Sequence, residues 1–469
     1  MMAYSRPGVY ITERLIEAPV NAGATANAAG AVVAPFARGP ETVTRVTSAY
    51  EFSKVYGPMS VSYPATFGVN AFFQNGGTEL YVRRVLHSDA TAATVNLLTS
   101  GSAVVATITA KHKGADGNNL RVTIAAGSSA GKYDLKVYKE RVAGTASNVA
   151  NDDLLESYDN VVFSDPTSSD FAESVINTIS ANIVVSASTS GTPVSAVYPL
   201  TSGTDGTAAA EADYTDVFGD LSILDRPLVV FMPALWDILS ADQDTVYNAA
   251  TSWADEHGSF VIVETDSGIT STAALNFVAT LDASSNAAAY YPYYYISDPV
   301  GRTAGTLRLV GPAGAIAGKY LATDAAKGPF KAPAGLTTTI TGAVAIEKSL
   351  TSTELDSLNT ASFPINPIRQ IPGTGFAVMG ARTLLQDGTA NKYINMRRSL
   401  NYIRKSLENI TLFALFENND ERLWNRLNTV ISVFLNDYRN AGGLRGNSAT
   451  EAFFVKVDAE NNTAQSIPC

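Results

Sequence analysis

Three histidines, one cysteine and a glycine-rich run are the residues with which this chain could do chemistry. His87, His112 and His257 stand far apart, none at metal spacing with a second histidine and none near a cysteine, so the ligand pattern of a zinc site is missing. His257 follows Asp255-Glu256 where a helix is expected to end, a place where the helix dipole and solvent account for an imidazole. A general base there would need a nucleophile within reach, and no G-x-S-x-G elbow occurs. The run Gly311-Pro-Ala-Gly-Ala-Ile-Ala-Gly318-Lys319-Tyr320 has the outline of a phosphate loop and fails it twice. Ala313 stands where the first glycine belongs, and Tyr320 replaces the Ser or Thr that would bind magnesium. Asp152-Asp153 has no partner fixed by spacing and reads as a solvated turn. The expectation is therefore a protein with no catalytic residues, no metal site and no cofactor.

The composition agrees with a scaffold. At 469 residues the chain is too long for one ordinary core, and about three domains are expected. Hydrophobic residues make up 46% and charged residues 16%, which is globular, with a charge density too low for a disordered chain. The single cysteine, Cys469, leaves no intrachain disulfide to form. A net charge of -11 argues against nonspecific nucleic-acid binding. No apolar run approaches the ~20 residues of a membrane span. The opening MMAYSRPGVY lacks a secretory core, so cytoplasmic folding is expected.

The elements that would position any site read as follows. Val9, Tyr10 and Ile11 form a short β-favouring run after a turn at Arg6-Pro7-Gly8, suited to an edge strand or to a neighbour's sheet. Residues 25–90 read as a small α/β unit, with a strand at Ala31–Phe36, a helix over Phe67–Asn75 closed by Gly76-Gly77, and a strand at Leu80–Val82. From 91 to 205 the chain is rich in Thr, Ser, Val and Gly, with alternation such as Tyr133–Tyr138, and reads as a β-rich insertion. Beyond it, strands at Leu228–Phe231, Phe260–Val263 and Tyr290–Ile296 alternate with helices at Asp242–His257 and Ser271–Leu281, the pattern of a parallel α/β sheet. The apolar run Pro227–Trp236 reads as a buried strand, and the Ala/Gly/Pro-rich 311–335 as a long surface loop.

Residues 392–446 read as two helices. Met396, Leu400, Ile403, Leu407 and Ile410 make one apolar stripe, and Leu423, Leu427, Val430, Phe434 and Tyr438 another. Thr411–Phe416 between them is apolar enough for a buried strand, Asn418 with Glu421 has capping-box spacing, and Gly442-Gly443 ends the second helix. The first helix is basic, with Lys392, Arg397, Arg398, Arg404 and Lys405 against Glu408. Arg397, Arg404 and Lys405 share a face, with Arg398 about 100° round. From the residues alone this is a solvated face.

Several stretches, in order, resemble the contractile tail sheath protein family of bacteriophages and related injection machines. They are Pro7–Glu13 (PGVYITE), Ala34–Gly39, Thr47–Phe52, Phe72–Gly77, Tyr81–Val85, Gly114–Leu120, Gly311–Gly335, Ile365–Arg369, Gly380–Leu384, Tyr393–Arg398, Phe416–Asn419 and Gly443–Gly446. Met379 stands where the family commonly has Trp, and relatives commonly continue past the point where Cys469 ends this chain. The resemblance implies an α/β and α+β multidomain fold. Residues 1–24 would be a linking arm carrying Val9, Tyr10 and Ile11. Residues 25–90 and 365–469 would form an α+β core, 91–205 a β-rich outer insertion, and 206–364 a subtilisin-like α/β domain without catalytic residues. It further implies a structural subunit of a virion tail, assembled in the host cytoplasm. Its partners would be further copies in stacked hexameric rings, a tail tube protein, and baseplate and tail terminator proteins, without nucleic-acid contact or membrane insertion. On this reading the C-terminal block lies against the tube, which makes Arg397, Arg398, Arg404 and Lys405 tube-facing candidates. The alternatives are the sheath of a bacteriocin or injection system, a subtilisin-like hydrolase, and a monomeric carbohydrate-binding β-protein.

Overall fold

The computed structural model describes residues 28–462, apart from 142–148, 188–190, 240, 302–304 and 386. Val9, Tyr10 and Ile11 lie outside the described residues. The described chain divides into two compact units, 28–398 and 399–462.

The first unit opens with β1 (Ala29–Ala34), β2 (Thr44–Val46), α1 (Ala49–Tyr56), α2 (Ala65–Gln74) and β3 (Leu80–Arg84). A β-rich stretch follows, with β4 (Thr94–Leu98), β5 (Val104–Ala110), β6 (Leu120–Ala126), β7 (Tyr133–Lys139), β8 (Asp153–Val161), α3 (Ala172–Ile179), β9 (Ile183–Ala187) and β10 (Ala196–Pro199). The chain then alternates through α4 (Glu211–Thr215), β11 (Leu228–Phe231), α5 (Leu235–Ile238), α6 (Gln243–His257), β12 (Phe260–Glu264), α7 (Ser271–Val278) and β13 (Ala287–Tyr291). It continues with β14 (Tyr294–Ser297), β15 (Leu307–Val310), α8 (Ala313–Lys327), β16 (Ala343–Ile346), α9 (Ser352–Thr360), β17 (Ile365–Ile371) and β18 (Gly375–Val378).

Eight strands form one sheet in the order β18-β17-β13-β12-β11-β1-β3-β2. Those from β17 to β3 pair in parallel, and only the edge strands β2 and β18 run antiparallel. Counted along the chain, the parallel strands lie 2-1-3-4-5-6, the flavodoxin-like doubly wound order with one strand added. Alternate side chains enter two cores. Val32, Phe231 and Ile262 join Phe72 and Tyr320 on one face, while Val33, Val230 and Val263 join Tyr247 and Ala250 on the other. Burial on both faces is why these strands read as unbroken apolar runs without alternation. The β-rich stretch forms two further sheets, β4-β5-β9 and β10-β6-β7-β8, around one core containing Val105, Val122, Leu135 and Ile176.

Four expectations are corrected. The partition of residues 25–90 and 365–469 from 206–364 does not match the sheet: β1 and β3 flank β11, and β17 flanks β13, in one continuous layer. Parallel pairing across those boundaries makes a single sandwich of helix, sheet and helix. The run Pro227–Trp236 is strand only to Phe231, because Pro233 and a left-handed Ala234 turn the chain into α5. The stretch 311–335 is not a surface loop, since it contains the 15-residue helix α8, buried from Ala313 to Gly318. Its small residues let α8 approach α2 closely: a Cβ on Gly314 would lie 2.0 Å from the Gly68 carbonyl oxygen, and one on Gly318 2.3 Å from that of Phe72. Asp152 is not solvated either. Its side chain is 1% exposed and holds the 2%-exposed Arg121 at 2.7 Å, with Glu140 as a second carboxylate partner.

In the C-terminal unit, α10 (Ile394–Thr411), which begins in the first unit, is followed by α11 (Glu421–Asn440) and α12 (Ala449–Ala452). Tyr402 stacks on Tyr438 at 5.5 Å, Phe434 lies beside both, and Ser399 Oγ meets the Tyr438 hydroxyl at 2.6 Å. The Gly442 and Gly443 amides bond the Arg439 and Tyr438 carbonyls at 2.8 and 2.9 Å, and Gly442 has φ 95°, the paired closure of a Schellman motif. Three local expectations fail here. Thr411–Phe416 is the last turn of α10 and a 3-10 turn rather than a strand. The cap of α11 is Asp420, accepting from the Leu423 amide at 2.9 Å, rather than Asn418. Met396 and Leu400, expected on a buried stripe, are exposed.

Candidate functional site

In a doubly wound sheet, ligands bind outside the carboxyl ends of the strands, at the point where the strand order reverses. Here that point is β1, between β3 and β11. A groove of about 510 Å³ lies there, lined among others by Phe36, Tyr63, His87, Asp205 and Asp237. Its polar groups are engaged in holding the root of the β-rich stretch. Asp205 accepts from the Tyr63 hydroxyl at 2.6 Å and the Ala115 amide at 3.0 Å. Beside it the fully buried Arg84 donates to the carbonyls of Phe36 (2.9 Å), Gly39 (3.1 Å) and Lys113 (2.8 Å). The arrangement is a brace between sheet and insertion.

A buried acid with a strongly raised value sits two strands away. Glu264, the last residue of β12, is fully buried. Its Oε1 accepts the Ala234 amide at 2.6 Å and its Oε2 the Ala313 amide at 3.2 Å, with the Tyr293 hydroxyl 3.4 Å from Oε1. Burial pushes its carboxyl up to about 7, against the pull of the two amides and with nearby Asp237 adding to the rise. The carboxylate thus pins the turn after β11 and caps α8, the helix start that a phosphate loop would offer to an anion. Gly311 makes room for it, since a Cβ there would lie 2.3 Å from Oε2. Among the described residues its hydrogen-bond donors are amides and a tyrosine, not the serine or cysteine that a hydrolytic base would serve. Sequence reading missed Glu264, and no spacing signal marks it.

Glu264 also sets a pH dependence. Its folded value of about 7 exceeds the ordinary 4.5, so between these values the folded state holds a proton that the unfolded state has released. Its stabilising contribution is complete below about 4.5 and gone above about 7, a loss on the order of 3 kcal/mol. Glu264→Gln keeps the shape and cannot ionise. Relative to wild type, the variant is expected to gain about that amount in denaturant unfolding between pH 5 and pH 8. A constant difference across that range would count against the buried, ionisable carboxylate.

The histidines are accounted for locally. His87 Nδ1 lies 2.6 Å from Asp89 Oδ1. His112 is held at about 4 by burial, with Arg84 adding to the shift. His257 ends α6, stacked on Trp253 and 2.8 Å from its carbonyl. Among the described residues no three His, Cys, Asp or Glu side chains group as a metal site, and no helix is long and apolar enough to cross a membrane.

The tube-facing candidates part company. Arg398, a tube-facing candidate set about 100° round from the other three, is only 5% exposed. It makes a two-pronged bond to Asp324, Nη1 to Oδ1 at 2.9 Å and Nη2 to Oδ2, under the Tyr320 ring at 4.6 Å. Tyr320 in turn meets the Tyr290 hydroxyl at 2.5 Å. The buried side of α10 at this turn holds a charge pair, which takes Arg398 out of the exposed candidates and agrees with its place about 100° round from Arg397, Arg404 and Lys405. Arg397 is half-buried and donates to Asn286 at 3.0 Å. Arg404 is exposed, 3.8 Å from Glu408, and Lys405 lies 3.1 Å from the same residue.

The fold of the chain is similar to that of solved contractile sheath proteins. The sheath tail protein of Listeria innocua shares it with a TM-score of 0.65 at 16% identity, over 92% of this chain and 89% of that one. The helical sheath of the anti-feeding prophage in its contracted state matches with 0.56 at 18% identity, over 97% and 89%. In sequence, the chain is 31% identical over 161 residues to the tail sheath protein of Vibrio phage KVP40, a stretch that is 34% of this chain and 23% of that protein. No family model matches.

Proposed function

We propose that the chain is a structural subunit of a contractile tail sheath, which polymerises around a tail tube and contracts to drive it through a cell envelope. The observation that carries this reading is the fold likeness to a helical sheath across 97% of the chain, and the sequence match to a phage tail sheath protein points the same way. The proposal includes stacked hexameric rings of this chain, contacts with a tube protein and with baseplate and terminator proteins, and a place in a virion tail assembled in the cytoplasm. It includes no enzymatic activity, no membrane insertion and no nucleic-acid contact. The α/β layer built on the continuous sheet from β17 to β3 would be subtilisin-like without its chemistry, in keeping with its parallel strands and an acid used as a brace. Residues 91–205 would face outward, Val9–Ile11 would link subunits, and Arg397, Arg404 and Lys405 would face the tube. A sheath in an injection system is the second reading, favoured by the anti-feeding prophage likeness.

Contraction needs no nucleotide on this reading. Contact gains on the order of a few kcal/mol per subunit add up over many subunits. Negative-stain microscopy of the purified protein is expected to show striated hollow cylinders, lost when residues 1–16 are removed. Arg397→Glu with Arg404→Glu is expected to form cylinders but no extended sheath on purified tubes. Monomers alone at every concentration would sink the proposal.

A further inference from the structure

The edges of the sheets are closed in different ways. On β18 the free side is bonded by backbone, the Ile340 amide donating to the Phe376 carbonyl at 2.7 Å and the Gly335 amide to that of Val378 at 2.8 Å. The edge strand β8 carries Asp153, Glu156 and Asp159 and two breaks in register, features that keep other strands away. The edge strand β9 has neither charge nor break. It reads Ile183-Val-Val-Ser-Ala187, and no charged residue stands anywhere from Ser174 to Thr204. A short, uncharged, β-branched edge is the kind that recruits a further strand.

One side of β9 pairs with β5, and α3 occupies the other. The Val185 amide donates to Asn177 Oδ1 at 2.7 Å, and Asn177 Nδ2 donates to the Val185 carbonyl at 2.8 Å. These are the two bonds that a residue exchanges with its opposite in an antiparallel pair. The Ile183 amide donates to Ser180 Oγ at 3.0 Å, and the Ala187 amide to Glu173 Oε2 at 3.0 Å. Residues 183, 185 and 187 recur at the strand period of two, while 173, 177 and 180 lie on one face of a helix. One helix face thus serves every second residue of the strand.

We infer that this face of α3 is an autoinhibitory guard, standing where a strand would pair and closing an edge that fits β9 of a second copy. Self-pairing suits the sequence. In an antiparallel pair centred on Val185, Ile183 would face Ala187 and Val184 would face Ser186 across the two-fold axis, with no charges opposed. Asn177 is exposed, so its loss opens the edge without emptying a core. A two-fold contact closes at two copies, unlike the propagating contacts of a helical polymer. The inference stands apart from the proposed function. Where many copies are held close, an unguarded edge would join them wrongly.

The test uses the full chain with Cys469→Ser and Ser186→Cys and a short bis-maleimide, with and without Asn177→Ala. With Asn177 in place, no cross-link is expected. With Asn177→Ala, a cross-linked dimer and nothing larger should form, with unchanged circular dichroism, because alanine suits a helix. Exchange of the Val185 amide, followed at a concentration too low for pairing, should quicken at least tenfold. Adding Val184→Lys, at a position 38% exposed on the same strand, should abolish the dimer, since a charged edge repels a second strand. Dimers with Asn177 intact, or unchanged Val185 exchange in Asn177→Ala, would overturn the guard. Faster exchange without dimers would overturn the fit to a second β9. Dimers that survive Val184→Lys, or a ladder above the dimer, would overturn the two-fold strand contact.

Discussion

Asp324→Ala is expected to lower the unfolding free energy by about 3–5 kcal/mol, because it leaves the Arg398 guanidinium buried and unpaired. Arg398 is 5% exposed and its only carboxylate among the described ion pairs is Asp324, whose side chain is 15% exposed. Burial pushes the Asp324 carboxyl up, against the pull of Arg398, so neither charge is comfortable without the other. The Tyr320 ring over the guanidinium contributes a cation–π attraction of about 1–2 kcal/mol, too little to replace the lost partner. The effect reads out in denaturant titration of the full chain. A change under about 0.5 kcal/mol would mean that water reaches the pair.

The double variant Asp324→Leu with Arg398→Met separates two meanings of that loss. Removing both charges and filling the space is expected to leave stability within about 1 kcal/mol of wild type, since buried ion pairs seldom add net stability over an apolar replacement. What the pair adds is register. A two-pronged bond under an aromatic ring admits one rotation of the first turn of α10, and an apolar contact admits several. If the double variant were as unstable as Asp324→Ala, a packing defect would explain both.

How much of this was legible in the sequence depends on which force shaped each stretch. Leu228–Phe231 and Phe260–Val263 were readable because double-sided burial leaves an apolar run of strand length. Gly442-Gly443 was readable because a left-handed helix end has few alternatives. The alternation of strands and helices gave a parallel sheet, but not that β1 and β3 belong to it, since pairing partners nearly 200 residues apart (Ala29 with Leu228) leave no local mark. Arg398 was misplaced for the same reason: its partner is 74 residues away, and charge alone argued for water. Glu264 was invisible because one acid at the end of an apolar run carries no periodicity. The resemblance to sheath proteins was carried by short motifs, and the fold likeness now extends it across the chain.

The stretch most misread, 311–335, supports the other large expected effect. Its glycine and alanine content looked like a loop because small residues lower confidence in any element. In the folded chain the same content serves helix contact: Gly314 and Gly318 are one turn apart on α8, facing Gly68 and Phe72 of α2. Gly314→Ala would gain about 1 kcal/mol of helix propensity if α8 were exposed. Its Cβ, however, would lie 2.0 Å from the Gly68 carbonyl oxygen, with backbone rather than a movable side chain as the obstacle. Forcing the helices apart costs about 1–3 kcal/mol or more, and it also loosens Ile316, Tyr320 and Phe72 in the same core. The clash is expected to win, with a net loss of about 2 kcal/mol on denaturant unfolding and a larger one for Gly314→Val. Ala325→Gly on the exposed side of α8 is the control, expected to cost about 1 kcal/mol through propensity alone. If Gly314→Ala instead stabilised the protein, propensity would be the governing term, and the close approach of α2 and α8 would have to be given up.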